Sequence, residues 1–318
     1  MRVEDLFLAN GNVRPIWRFL LSLVLGVFAY VVASVLAAEV WHFTPRPGAR
    51  YGTLFLFELL VLLAAFKFMT QVFERKPFAV IGLAFHPYWL KELCVGAGVG
   101  GVMMILVGGC EALMGVARFS PNPLPAGSEL AYGSGLFLLL LVAATNEELV
   151  FRGYPFQRLV ESFGPVGAVA ISSAFFGLAH LGNAHHTWIS TANTMLVGVP
   201  LSLAYLRTRS LWMPVGLHFA WNYMQGFIFG LPVSGYAFST TLLKVQIHGA
   251  AWLTGSDYGP EGGMLSTVAV VGAALFLFLS PHIRINEKMK ELVFGPSPDA
   301  FGDTAFHITS KQDPGGAS

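Results

Sequence analysis

The stretch Thr145-Asn146-Glu147-Glu148-Leu149-Val150-Phe151-Arg152-Gly153 directly follows the apolar run Gly135 to Ala144. Two adjacent carboxylates and a guanidinium therefore emerge from a segment that is otherwise suited to lipid. Ionisable residues inside a membrane span are costly, and function is their default explanation when partners are present to neutralise them. The stretch predicts a membrane helix that carries a polar site.

The composition is that of a membrane protein. Hydrophobic residues make up 54% of the 318 residues, charged residues make up 12%, and the mean hydropathy is +0.61. Soluble domains carry about 25% charged residues. Repeated apolar runs of about 20 residues indicate a polytopic membrane protein. The sequence contains no basic patch of the kind that favours a nucleic-acid partner. We expect the protein to be surrounded by membrane lipids.

The fold class that we predict is an all-α polytopic membrane protein, a bundle of about eight transmembrane helices enclosing a polar catalytic cavity. Residues 1–281 form the transmembrane domain, with a core at 134–231, and residues 282–318 form a cytoplasmic tail that is first amphipathic and then disordered. The predicted spans are Ile16 to Ala38, Tyr51 to Val72, Leu90 to Val116, Ser134 to Val160, Pro165 to Gly182, Trp188 to Arg207, Leu211 to Leu231 and Met264 to Leu279.

The distribution of basic residues predicts the orientation. With the N-terminus in the cytoplasm, only four of the 19 Lys and Arg residues fall in outside segments, namely Arg46, Arg50, Arg118 and Lys244, and the remaining fifteen lie inside. Cytoplasmic loops are enriched in Lys and Arg, so both termini are expected in the cytoplasm.

The first apolar run is too long for a signal peptide and lacks a small-residue cleavage site, so we expect the span to be retained. Cys94 and Cys110 fall in one predicted helix, too far apart to be bridged.

Helical geometry separates the two glutamates. Glu148 and Arg152 are at positions i and i+4, on one face, where they can form a charge-neutralising pair. Glu147 is rotated by about 100° from Glu148 and points elsewhere. The pattern favours one carboxylate held by arginine and one kept for chemistry, although an interfacial cluster with snorkelling side chains is an alternative.

Two later spans supply further polar residues. His180 lies near the end of the fifth span, and His218 and Asn222 share one face of the seventh. An imidazole and a carboxamide can together stabilise a developing oxyanion. Singly, each could instead form a helix-packing hydrogen bond. Three spans contributing polar groups at depth favour a common site, whereas Glu58, Glu111 and Asn193 are expected to serve packing, and His185 and His186 to lie at the surface.

The ordered set of motifs resembles a known family. Glu147-Glu148-x-x-x-Arg152, Phe176-x-x-x-His180 and His218-x-x-x-Asn222 are similar to the three signature motifs of the CPBP family, the CAAX proteases and bacteriocin-processing enzymes also called Abi proteins, which includes the type II CAAX prenyl endopeptidases. The resemblance covers roughly Ser134 to Leu231. It implies a glutamate-dependent intramembrane endopeptidase of a bacterial cell membrane, with a cavity that opens toward the cytoplasm.

The resemblance also implies roles for six residues. Glu147 would activate a water, His180 would help to position it, and His218 and Asn222 would stabilise the oxyanion of the tetrahedral intermediate. Glu148 and Arg152 would hold the catalytic helix and tune Glu147. The implied substrate is a protein or peptide, with or without a prenyl group. The resemblance implies no cofactor and no metal.

Three other functions are compatible with the same residues. A zinc-dependent membrane metalloprotease could use two histidines and a glutamate, although the chain has no His-Glu-x-x-His helix. A non-catalytic immunity or binding protein could keep the cavity without turnover. A transporter is a third possibility, weakened by the lack of paired, interrupted helices in corresponding halves. Substrate identity and oligomeric state are not predicted.

Overall fold

The computed structural model describes residues 4–9, 11–43, 47–125 and 127–294. The predicted disordered part of the tail beyond residue 294 lies outside these ranges. Eight long helices stand at the positions of the eight predicted spans, which confirms the helical membrane fold. They are α2 (Pro15–Trp41), α3 (Pro47–Met69), α4 (Trp89–Leu113), α5 (Ser128–Arg152), α6 (Tyr154–Ala179), α7 (Trp188–Thr208), α8 (Trp212–Tyr223) and α10 (Met264–Leu279).

Within the described ranges, five helical segments are long and apolar enough to cross a membrane, and one of these, Ser128–Ala179, contains both α5 and α6. Helix α8 is shorter, but the π-helical turn Met224–Ile228 extends it. Helix α10 is also short and strongly apolar. Side chains such as Val24, Leu106 and Val268 are exposed along α2, α4 and α10, as expected for surfaces that face lipid.

Smaller elements lie at the ends of the bundle. They are α1 (Glu4–Phe7), β1 (Leu8–Ala9), β2 (Asn12–Val13), β3 (Ala117–Pro121), β4 (Leu243–Ile247), α9 (Ala251–Thr254) and α11 (Glu287–Phe294). The two antiparallel ribbons, β1 with β2 and β3 with β4, were not predicted from the sequence. Helix α11 lies in the part of the tail that was predicted to be amphipathic, and its Met289 is fully buried.

The predicted fourth span, Ser134 to Val160, is wrong at its end. Helix α5 stops at Arg152, and Gly153 takes a non-helical conformation (φ −77°, ψ −133°) before Tyr154 and Pro155 open α6. A Cβ on Gly153 would lie 2.3 Å from the carbonyl oxygen of Leu149, so a side chain does not fit this bend. Helix α6 is interrupted again at Gly164 (φ 70°), ahead of Pro165.

Close packing between α4 and α8 fixes the position of the seventh predicted span. A Cβ on Gly96 would lie 2.0 Å from the Met213 carbonyl oxygen, and one on Gly100 would lie 2.1 Å from that of Leu217. A Cβ on Gly216 would likewise lie 2.1 Å from the carbonyl oxygen of Leu93. Small residues at this spacing let two helix backbones touch within a membrane. The contact places His218, which follows Leu217, near the middle of α4.

The segment Pro232–Gly263, called the covering segment below, joins the end of α8 to α10. Its strand β4 pairs with β3, and its 3₁₀ turn Pro260–Gly262 packs against α7 and α10. Asn193 of α7 donates to the carbonyl oxygens of Glu261 and Gly263, both at 2.9 Å. The segment is therefore anchored inside the bundle. Asn193, which was predicted to serve packing, does so through these two hydrogen bonds.

The glycine contact generates a stability prediction. Gly100→Ala should lower the midpoint of thermal unfolding in detergent, because the new methyl group forces α4 and α8 apart, at a cost of about 1–3 kcal/mol. Gly98→Ala on the same helix is the matched control, since a Cβ there meets no atom within 4 Å. It should be neutral or slightly stabilising, because alanine is the better helix former by about 1 kcal/mol. Equal midpoints for the two variants would contradict the packing argument.

Candidate active site

Helices α5, α6 and α8 bring the six predicted site residues together. Glu147, Glu148 and Arg152 lie in the last two turns of α5, and His180 follows the last residue of α6. His218 and Asn222 lie one turn apart on α8. Each side chain therefore sits on a regular helix or immediately at its end, where packing fixes the backbone.

Glu148 and Arg152 form the predicted ion pair in a fully buried position. The Arg152 Nη1 atom lies 3.2 Å from Glu148 Oε1, and both side chains are 0% exposed. Arg152 also donates to the carbonyl oxygen of Gly198 at 3.4 Å, and its guanidinium stacks over the Phe176 ring at 4.4 Å from the ring centroid. A buried charge needs such partners, because an isolated one is strongly disfavoured in a dry interior.

Glu148 has a second partner that the sequence did not predict. The same Oε1 atom lies 2.9 Å from Nδ1 of His218. A carboxylate oxygen only accepts, so the Nδ1 atom of His218 carries the proton and donates to Glu148. Glu148 thus fixes the ring orientation of His218, and it links α5 to α8 as well as to Arg152.

Glu147 points away from this pair, into a gap between the two imidazoles. Its Oε2 atom lies 3.8 Å from Nε2 of His180 and 3.9 Å from Nε2 of His218. Within the described part of the chain, Oε2 has no hydrogen-bond partner. The side chain is 36% exposed, in contrast to buried Glu148. The rotation of about 100° between neighbouring helical residues produces this difference.

The tautomer of His180 follows from its other nitrogen. Nδ1 lies 2.8 Å from the carbonyl oxygen of Phe176, one turn earlier, and a carbonyl only accepts. The proton is therefore on Nδ1, and neutral His180 presents the lone pair of Nε2 toward Glu147. When His180 is neutral, both atoms that face each other across the 3.8 Å gap, Glu147 Oε2 and His180 Nε2, are acceptors.

Phe176 connects the site residues, although sequence reasoning treated it only as part of a motif. Its ring contacts that of His180 at a centroid distance of 4.8 Å and that of His218 edge-on at 6.1 Å. Together with its carbonyl bond to His180 and its stacking under Arg152, these contacts make Phe176 the apolar wall between the ion pair and the imidazoles. Its position one turn before His180 was the available signal.

A small cavity of about 40 Å³ opens between these elements. His180, His218 and Asn222 line it, together with Ser234 and Glu261 of the covering segment. Among the described residues, the carboxamide of Asn222 has no hydrogen-bond partner in the protein, and it lies one helical turn beyond His218 on the same face. Groups of this kind can bind a polarised oxygen of a ligand.

The arrangement agrees with a comparison to protein families. Residues 131–224 match a family model described as type II CAAX prenyl endopeptidase Rce1-like. The matched region carries all three motifs, so the resemblance predicted from them is confirmed. Residues 131–224, called the Rce1-like region below, are similar to this family of CAAX-type membrane proteases. No curated protein and no solved structure matches the chain.

Four other polar residues named from the sequence, Glu58, Glu111, His185 and His186, have the following surroundings. Glu58 of α3, predicted to serve packing, accepts a hydrogen bond at 3.1 Å from the side chain of Asn146, the neighbour of Glu147. Asn146 also donates to the carbonyl oxygen of Phe55, so α3 braces the end of α5 from behind. Buried Glu111 has no hydrogen-bond partner in the described structure, and His185 and His186 are exposed as predicted.

The structure also bears on metal binding. In the described ranges, no group of three or more His, Cys, Asp or Glu side chains has the arrangement needed to hold a metal ion. One nitrogen of His218 is engaged by Glu148, and one nitrogen of His180 by Phe176. Cys94 and Cys110 are free and exposed on α4, as expected from their separation.

The buried ion pair generates a prediction about folding. Arg152→Met should destabilise the protein by about 3–5 kcal/mol, because the buried Glu148 carboxylate loses its arginine partner and keeps only the hydrogen bond from His218. The double variant Glu148→Gln/Arg152→Met should recover much of this loss, since neither charge remains. Unfolding midpoints in detergent for both singles and the double give the coupling energy. A double variant whose loss equals the sum of the singles would contradict the pairing.

Proposed function

We propose that the protein is an intramembrane glutamate-dependent endopeptidase in which Glu147 activates a water molecule. The observation that carries the proposal is the gap between Glu147 Oε2 and the two imidazole Nε2 atoms, 3.8 and 3.9 Å wide. A water placed between Glu147 and His180 can donate one hydrogen to each acceptor. Its oxygen lone pairs are then free to attack a carbonyl carbon.

The reaction follows from this placement. Glu147 takes one proton from the water as the bond between the water oxygen and the carbonyl carbon forms. The carbonyl oxygen becomes an oxyanion, which the Nδ2–H of Asn222 and a protonated Nε2 of His218 stabilise. The carbon–nitrogen bond then breaks, and Glu147 returns its proton to the leaving amine. No covalent bond to the protein is formed.

Glu148 and Arg152 support this chemistry without touching the substrate. The Glu148 carboxylate, held by Arg152, stabilises the positive charge that His218 carries when it donates from Nε2. In this proposal, the pair acts on His218 directly, in addition to fixing the end of α5. A buried carboxylate that orients and stabilises an imidazolium plays the same part in the Ser-His-Asp triad.

We propose that the substrate is a protein or peptide, free or lipidated, that is cleaved near the cytoplasmic face of a bacterial membrane, with both termini in the cytoplasm. The excess of Lys and Arg in the predicted inside segments supports the orientation. Ser234 and Glu261 of the covering segment line the cavity together with His180, His218 and Asn222.

The assignment of the base predicts the effect of Glu147→Gln. This change keeps the shape of the side chain but removes the proton acceptor, so cleavage should fall by about 10²–10⁴-fold, with an unfolding midpoint close to that of the wild type. Mass spectrometry of membrane-associated peptide termini, in cells with wild-type or variant protein, identifies substrates. Purified protein in proteoliposomes then gives the rates on those peptides.

The matched control is Glu129→Gln, the same substitution in the first turn of the same helix. It should retain wild-type rates. Cleavage by the Glu147→Gln protein at the wild-type rate would overturn the assignment, and activity lost in a strong chelator and restored by zinc would favour the metalloprotease. If Glu147→Gln and His218→Ala both support the cellular role fully, the protein acts by binding.

The proposed oxyanion site makes a separate prediction. Asn222→Ala should lower kcat by about 10²–10³-fold with little change in KM, because its contact forms with the oxyanion rather than with the ground-state carbonyl. Steady-state kinetics on an identified peptide test this. An increase in KM alone, with kcat unchanged, would place Asn222 in substrate binding instead.

A further inference from the structure

A carboxylate outside the proposed catalytic set, that of Glu261, lines the cavity beside His180, His218 and Asn222. Glu261 belongs to the 3₁₀ turn Pro260–Gly262 of the covering segment and lies outside the Rce1-like region. Its residue is 5% exposed, and it lines the cavity together with His180, His218 and Asn222. The proposed hydrolysis does not use it, so its presence there needs a separate explanation.

Only neutral groups bind the Glu261 carboxylate. Gln225 donates to Oε2 at 2.7 Å, and Trp221 and Ser234 each lie 3.4 Å from Oε1. Throughout the described ranges, no Lys, Arg or His forms an ion pair with it. Burial raises the pKa of the Glu261 carboxyl. A buried carboxylate in this state gains strongly from a cation that enters the cavity.

The surroundings hold the carboxylate in place. The main-chain oxygen of Glu261 accepts from Asn193, and the side chain of Gln225 also bonds to the carbonyl oxygen of Pro232. Gln225 is fully buried in the π-helical turn that extends α8. These hydrogen bonds fix the position of Glu261 in the wall of the cavity.

The distance to the proposed reaction centre can be estimated along α8. Gln225 lies seven residues beyond His218, which corresponds to roughly 10 Å of helix. An extended peptide covers about 3.3–3.6 Å per residue. A substrate group bound at Glu261 therefore belongs to a residue within about three positions of the scissile bond.

We propose that Glu261 is a specificity residue that binds the ammonium group of a substrate lysine near the scissile bond. This inference rests on the proposed function. The cavity of about 40 Å³ favours a compact ammonium over the wider, planar guanidinium of arginine. Glu261 and Ser234 supply oxygen acceptors for its three donors, and the ring of Trp221 lies beside them.

The test uses the full-length protein in lipid nanodiscs. A peptide that the wild type cleaves is resynthesised with Lys, Arg or norleucine at each of three positions on either side of the scissile bond. At one position, kcat/KM for Lys should exceed that for norleucine by at least about tenfold, as expected for one hydrogen-bonded charge, with Arg below Lys. In Glu261→Gln the Lys to norleucine ratio should fall to about one.

The control is Glu291→Gln, on the exposed surface of α11, which should keep the wild-type ratio. A wild type without lysine preference at any of the six positions would refute the proposal. So would a Glu261→Gln variant that loses activity equally on Lys and norleucine peptides, since Glu261 would then only hold the covering segment in place.

A binding arm separates this proposal from the catalytic one. In the Glu147→Gln background, Lys and norleucine peptides should differ in Kd by a similar factor, and Glu261→Gln should abolish the difference. Lysine-selective binding without hydrolysis by the wild type would overturn the proposed function and keep this inference. Hydrolysis without lysine preference would keep the proposed function and overturn this inference.

A small-molecule test applies if Glu261→Gln does not fold. In that case n-butylammonium should inhibit the wild type more strongly than n-butanol, and equal inhibition refutes the proposal.

Discussion

The carboxylate of Glu148 is the group on which the rest of the site depends. One oxygen accepts from Arg152 at 3.2 Å and from His218 at 2.9 Å, and the carboxylate is shielded from solvent. Removing either charge from such a pair leaves the other unpaired in a dry interior, which costs several kcal/mol. The ends of α5 and the middle of α8 are thereby held in one relative position, and the ring of His218 has one orientation.

This arrangement explains why α5 can end inside the bundle. Helix termini leave carbonyl groups without partners, and in a membrane these must be satisfied within the protein. Arg152 stands in the last turn of α5, where a cation offsets the negative end of the helix dipole. The bend at Gly153 then lets α6 leave in a new direction, and Ser172 of α6 donates to the carbonyl oxygen of Phe151 at 2.8 Å. The break in the backbone is thus compensated where it occurs.

The sequence predicted those features that depend on local periodicity. The eight spans and the Glu148–Arg152 pair follow from apolar run length and from the i, i+4 spacing, which are properties of single helices. The contact between Glu148 and His218 requires α5 to pack against α8, and it joins two residues that lie 70 positions apart in the chain. The stop at Gly153 was missed because the apolar and amphipathic pattern continues to Val160, although the backbone does not. Glu58, interpreted as packing, could not be connected to Asn146 without the position of α3.

The separation of the two adjacent glutamates is a consequence of one helical step. Because Glu148 is committed to Arg152 and His218, its charge is fixed by partners and is not available to a substrate. Glu147, one residue earlier, faces the Nε2 atoms of His180 and His218 at distances too long for direct hydrogen bonds. Three polar atoms at these separations are suited to hold a water between them. In the proposed mechanism, the buried pair therefore acts as the support, and the partly exposed Glu147 is the group that reacts.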